Sequence, residues 1–226
     1  MSSFKPVSQP DKPVSLLPGI MLYAQTLGSE TYSHDTSYSL CLVRNPQSIS
    51  FETLSLNQSA YDYAESSNIT SLKETEVITD TEFIMIDKRK ARTVINGTIG
   101  MTASVRLLGD DTYTTYIDKI NMHLLKRDSS GNDTQIVYGS YVWSTAPSTS
   151  AAVWSDLITA TVRVDTSENV SLLSTDRLVY RIEVFGHVNS ASASDNKIRL
   201  YYTRGTDQTF VFVPVDEVVH QQVIVL

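Results

Sequence analysis

A single cysteine, Cys41, stands in the 226 residues of this chain. One thiol makes no intramolecular disulfide and builds no cysteine-based metal centre. Its surroundings, Tyr38-Ser39-Leu40-Cys41-Leu42-Val43, alternate as a strand does, so Cys41 reads as a small buried hydrophobe rather than a reactive thiol. Folding is therefore expected not to depend on an oxidising compartment. Basic residues are also in short supply: 18 Lys and Arg face 25 Asp and Glu, for a formal charge of -7 and a pI near 5.0. No cationic surplus is left for phosphates or anionic head groups, so nucleic acid and membrane surfaces are not expected partners. Long apolar runs are missing as well. The uncharged stretch 135–155 is interrupted throughout by Ser, Thr and Pro, which rules out a spanning helix there. Prolines likewise break the N-terminal segment MSSFKPVSQPDKPVSLLPG, and no export signal is visible in it.

Glycine and proline number only 9 and 7, against 41% hydrophobic and 19% charged residues, which excludes a fibrous or disordered class for the bulk of the chain. The length suits one β domain with a sizeable core. Four of the prolines, Pro6, Pro10, Pro13 and Pro18, fall in residues 1–19. Proline fixes φ and lacks a donor, so this segment is expected to be an extended arm preceding a single domain at 20–226. Phe4, Val7, Val14, Leu16 and Leu17 are its candidate partner-binding side chains, offering apolar contacts to a neighbour.

Almost nothing in the remainder has helical spacing. Segments 20–27, 38–43 and 48–56 are short, apolar or alternating, and read as strands. Segment 57–81, richer in Ser, Thr, Asn, Asp and Glu, reads as a long loop with one helical turn near 71–75. In 158–164 apolar and polar residues alternate for seven positions, as a strand with one buried and one wet face requires. In 177–185, Leu178, Tyr180, Ile182 and Val184 share one face and Arg181 and Glu183 the other. In 197–203, Ile198, Leu200 and Tyr202 oppose Arg199 and Tyr201. Further strands are expected at 83–87, 93–108, 117–126, 134–142, 209–213 and 218–225. The turn-rich stretches 128–133 and 205–207 read as hairpin connections. Closely spaced strands without helices imply antiparallel sheets covering each other's apolar faces: an all-β, two-sheet sandwich of jelly-roll type, with a closed barrel as the alternative.

Chemistry leaves few marks. His34, His123, His187 and His220 are scattered and form no HxH or HExxH pair, and neither a GxSxG elbow nor a phosphate loop occurs. Asp110-Asp111 and Asp216-Glu217 are carboxylate pairs that suit turns as well as acid–base work. The oxygen-rich loop 128–133 departs from the EF-hand spacing and reads as a turn. Five Asn-x-Ser/Thr sequons, at Asn57, Asn68, Asn96, Asn132 and Asn169, read as accidents of a Ser/Thr-rich chain. No catalytic set, cofactor or metal site is expected, and the chain reads as non-enzymatic. Twelve tyrosines against six phenylalanines favour interfaces or sugar platforms, because the ring gives contact area while the hydroxyl tolerates water. Trp143 and Trp154 flank the uncharged segment 144–153; they are candidate contact residues, with core tryptophans as the alternative.

Leu173-Ser174-Thr175-Asp176-Arg177-Leu178-Val179-Tyr180-Arg181-Ile182-Glu183-Val184, then Lys197-Ile198-Arg199-Leu200-Tyr201-Tyr202 and Phe210-Val211-Phe212-Val213-Pro214, carry a resemblance. Over residues 153–215 the chain resembles the β-sandwich, jelly-roll-like virion structural proteins of bacteriophages and related viruses. There a turn containing Asp introduces a strand of the form Arg-Leu-Val-x-Arg-Ile, followed by a Tyr-bearing strand and a terminal Pro. The resemblance implies a capsid shell, decoration or fibre subunit, made in a host cytoplasm and residing in the virion. Its implied partners are copies of itself and other capsid proteins. A carbohydrate- or receptor-binding sandwich, with a glycan or host receptor as ligand, is the alternative.

Overall fold

The computed structural model describes residues 19–25, 39–44, 62–74, 76–85, 93–202 and 209–217. Fourteen strands and no helix lie among them. In chain order they are β1 (Gly19–Gln25), β2 (Ser39–Arg44), β3 (Asp62–Glu65), β4 (Val77–Met85), β5 (Thr93–Ile95), β6 (Thr98–Leu108) and β7 (Thr115–Arg127). They continue with β8 (Asp133–Val142), β9 (Ser148–Thr149), β10 (Ile158–Asp165), β11 (Val170–Leu172), β12 (Arg177–Val188), β13 (Lys197–Tyr202) and β14 (Phe210–Glu217).

The fold is an all-β two-layer sandwich. Its hydrogen-bonded path runs β3-β13-β6-β14-β1-β2-β4-β12-β7-β8 and curls over itself, with β10 on the second edge of β6. Contacts between the strands of the two halves define the layers. Phe83 on β4 meets Tyr202 on β13 edge to face at 5.1 Å. A Cβ built on Gly139 of β8 would lie 2.7 Å from Val162 Cγ2 on β10, so these strands cross at closest approach. Between the layers lie Ile99, Met101, Val105, Leu107, Ile120, Met122, Leu124, Ile182 and Val184, all fully buried. Removing such apolar area from water, at about 25 cal/mol per Å², is the driving force that holds the layers together.

The alternation read on β10, β12 and β13 has the expected register. Leu178, Tyr180, Ile182 and Val184 are buried, whereas Arg181 and Glu183 lie on the outer face. Ile198, Leu200 and Tyr202 are buried too. The stretch 128–133 is the β7–β8 hairpin: Asp128 Oδ1 accepts from the backbone N–H of Ser130 and Asn132, and Gly131 takes the positive φ of 86° that the turn needs.

Several expectations are corrected. Segment 57–81 is not one loop, because β3 and the start of β4 lie within it. The described residues 71–74 hold no helix; the Ser71 hydroxyl accepts from the Lys73 N–H in a local turn. The run 93–108 is two strands, broken where Gly97 adopts φ 119°. Strands β13 and β14 are not a hairpin around 205–207. Both pair antiparallel with the same edge of β6, Tyr201 opposite Ser104 and Phe210 opposite Thr102, so they run in the same direction as consecutive pieces of one edge. The Thr209 hydroxyl bridges the break, donating to the Tyr201 carbonyl at 2.6 Å and accepting from the Ser104 N–H at 3.1 Å. Among the described strands one pair departs from the antiparallel rule: β1 and β2 are parallel, which a tight hairpin cannot produce and the long connection 26–38 allows. Of the expected arm, residues 1–18 lie outside the described residues and Gly19 opens β1; the strands expected at 48–56 and 218–225 also lie outside the described residues.

Candidate interaction face

Strand β13 presents opposite chemistry on its two faces. Ile198, Leu200 and Tyr202 fill the core, which turns Arg199 and Tyr201 to the other face, where Tyr201 is itself buried. Register then assembles their neighbours: Arg199 stands opposite Glu65 on β3 and Arg106 on β6, and Tyr201 opposite Tyr63 and Ser104. The segment after β9 adds a further ring. Its Ser155 N–H donates to the Leu107 carbonyl at 2.8 Å, and its hydroxyl accepts from the Leu107 N–H at 3.0 Å, so the segment is pinned to the end of β6 beside Trp154.

The Arg199 guanidinium is in contact with two rings at once, its Cζ 4.0 Å from the Tyr63 centroid and 3.9 Å from that of Trp154. Its Nε donates to Glu65 Oε2 at 2.5 Å. Arg106 Cζ lies 5.3 Å from the Tyr201 ring, and Tyr201 lies 5.7 Å from Tyr63. Two arginines directly across a strand pair repel, and the rings together with Glu65 offset that cost. Burial opposes the charge on Arg199, but hydrogen bonding to Tyr201 and Glu65 outweighs it and raises its pKa above the usual arginine value. Tyr63 stays 40% exposed and Trp154 is half-buried, so the rings still offer surface.

The residues named from sequence are placed as follows. Trp154 belongs to this face. Trp143 follows β8 and packs half-buried against the core, edge to face with Tyr141 at 4.9 Å, which is the core role given as its alternative. Phe4, Val7, Val14, Leu16 and Leu17 lie outside the described residues. Asp110 accepts the N–H groups of Thr112, Tyr113 and Ser194, while Asp111, at φ 64°, accepts from the Ala152 N–H at 2.8 Å. These two carboxylates are loop staples. The side chains of Asp216 and Glu217 lie outside the described residues, as do His34 and His220. His123 sits on the outer face of β7, 3.3 Å from Glu183 Oε2, with its ring 4.8 Å from that of Tyr138. His187 Nδ1 is 2.9 Å from Asp118 Oδ2 and its ring stacks on Tyr116. Tyr63, Arg106, Arg199 and Tyr201 were not named from sequence as contact residues; the tyrosine excess was a signal for the two tyrosines, and the arginines had none.

No protein-family model and no curated protein sequence matches the chain. Among solved structures it is similar to a CocE/NonD family hydrolase from Staphylococcus aureus, with a TM-score of 0.40 and 8% identity, over 77% of this chain and 41% of that one. A second structure of that hydrolase is similar to the same degree, over 78% and 41%. The infectious bursal disease virus Gx strain structure is similar at a TM-score of 0.20 and 6% identity, over 83% of this chain and 50% of that one. The chain thus spans less than half the length of the hydrolase. The expected absence of enzymatic activity is corrected here: the first solved structures similar to the chain are hydrolases, and the non-enzymatic reading is not retained. At this TM-score the likeness assigns no catalytic role to any residue.

Proposed function

We propose that the chain is a structural subunit of a virion-type particle, acting through protein–protein contacts made by the outer face of β3, β13 and β6. The observation that carries this reading is the Arg199 guanidinium held against both Tyr63 and Trp154. Trp, Tyr and Arg are the residue types that dominate binding energy at protein interfaces, and here all three are oriented before a partner arrives. A further support is β3, which pairs only with β13 among the described strands, so its other edge has no partner strand among the described residues. The resemblance of residues 153–215 to virion sandwich proteins points to the same class.

A glycan-binding role is the competing use of such rings. It fits less well, because Tyr63 and Trp154 each already give a ring face to Arg199, and a sugar needs that face for stacking. The mass of the chain in solution separates the two. An oligomer at micromolar concentration is the expected result, whereas a monomer that binds glycans overturns the assembly reading.

A further inference from the structure

On the opposite outer face, β7 carries an extra residue. Phe185 pairs with Lys119 and Gly186 with Ile117, so Asp118 has no partner across the strand pair and the ladder bulges there. The bulge lets two consecutive residues, Asp118 and Lys119, lie between the buried Ile117 and Ile120. A glycine is required opposite: a Cβ on residue 186 would sit 2.4 Å from the Tyr116 carbonyl oxygen. The next residue, His187, stacks on Tyr116 at 4.6 Å with only 4° between the ring planes, which fixes the direction of its nitrogens. Its Nδ1 lies 2.9 Å from Asp118 Oδ2. A third group comes from the segment before β4, anchored where the Val188 N–H donates to the Ser71 carbonyl at 2.8 Å. That group is Glu74, and donor atoms of Glu74, Asp118 and His187 all lie within 4.8 Å of one another.

We propose that Glu74, Asp118 and His187 form a binding site for one divalent transition-metal cation of zinc-like preference. The donor set, one imidazole and two carboxylates, suits such an ion and leaves its fourth position to water. Two features separate this cluster from an ordinary His–Asp hydrogen bond. The imidazole is held by a ring stack outside the cluster, so it is oriented independently of its acidic neighbours. Glu74 forms no ion pair among the described residues, so two carboxylates share the site beside one imidazole. A dication neutralises both. At a tetrahedral ion, metal–donor distances of about 2.1 Å place donor atoms roughly 3.4 Å apart, so from within 4.8 Å the exposed Glu74 side chain needs to close in by about 1.4 Å.

The test is calorimetric titration of zinc chloride into the full chain after chelator treatment, beside Glu74→Gln and His187→Gln, with thermal melts to show that each variant is folded. One zinc per chain is expected, with a raised melting temperature. Glu74→Gln, an exposed and isosteric change, is expected to weaken binding at least about tenfold. His187→Gln is expected to abolish it. No saturable binding by the wild type, or affinity unchanged in either variant, overturns the site.

Discussion

Tyr180 on β12 donates its hydroxyl to the Thr102 carbonyl on β6 at 3.0 Å, joining the two layers by a hydrogen bond through the core. Tyr180 is fully buried, and desolvation raises its pKa well above the ordinary phenol value, so the hydroxyl remains a donor. Tyr180→Phe keeps the ring and removes the bond. The expected loss is about 1 kcal/mol, read from urea unfolding with an unchanged slope. No loss would mean that the layers gain nothing from this bond.

Ile182 and Glu183 are neighbours on opposite faces of β12. Ile182→Asp puts a carboxylate in the core and is expected to cost more than about 4 kcal/mol, abolishing soluble folding. Glu183 is not an idle surface residue, since its carboxylate meets Arg181 at 3.2 Å and Asn121 Nδ2 at 3.2 Å. Glu183→Gln is therefore expected to cost up to about 1 kcal/mol rather than nothing, because these pairs are only partly exposed. Equal stability of the two variants contradicts the register.

Gly186→Ala tests the bulge. The added methyl meets the Tyr116 carbonyl oxygen at 2.4 Å, and backbone cannot yield as a flexible side chain does. A loss of about 1–3 kcal/mol is expected in the melting transition. Gly100→Ala is the control, for its Cβ meets nothing closer than 3.8 Å.

Asp110 holds its loop through backbone N–H donors, chiefly that of Tyr113, which lowers its pKa from the ordinary carboxylate value. A folded-state pKa below the unfolded one contributes stability above the unfolded value, and that contribution disappears as pH falls through the folded value. Asp110→Asn is therefore expected to lower the urea midpoint at about pH 7, with the gap to wild type narrowing below about pH 4. A gap that stays constant, or widens in acid, contradicts this role.

Strands were legible wherever one face is dry and the other wet, as at Ile182 and Glu183. They were hidden where pairing rather than pattern decides. The four residues of β3, Asp62–Glu65, become a strand because β13 lies beside them, with Arg199 bonded to Glu65 across 134 positions of sequence. The turn residues near Gly205 signalled a reversal, yet β14 continues along the edge that β13 leaves, because β6 pairs with both. The same holds for the interaction face. Trp154 stood out by type, but nothing in the sequence sets it against Arg199, since that contact depends on Ser155 fastening its segment to Leu107. Glu74, Asp118 and His187 share no local motif either.

Sedimentation velocity of the wild type beside Arg199→Ala and Trp154→Ala, across about 1–100 μM, tests the proposed assembly face most directly. The wild type is expected to sediment as an oligomer. Each variant, checked for an intact β circular dichroism spectrum, is expected to shift toward monomer by at least about tenfold in dissociation constant, the loss of a contact worth over about 1.4 kcal/mol. A monomeric wild type, or an oligomer that both substitutions leave unchanged, contradicts the account.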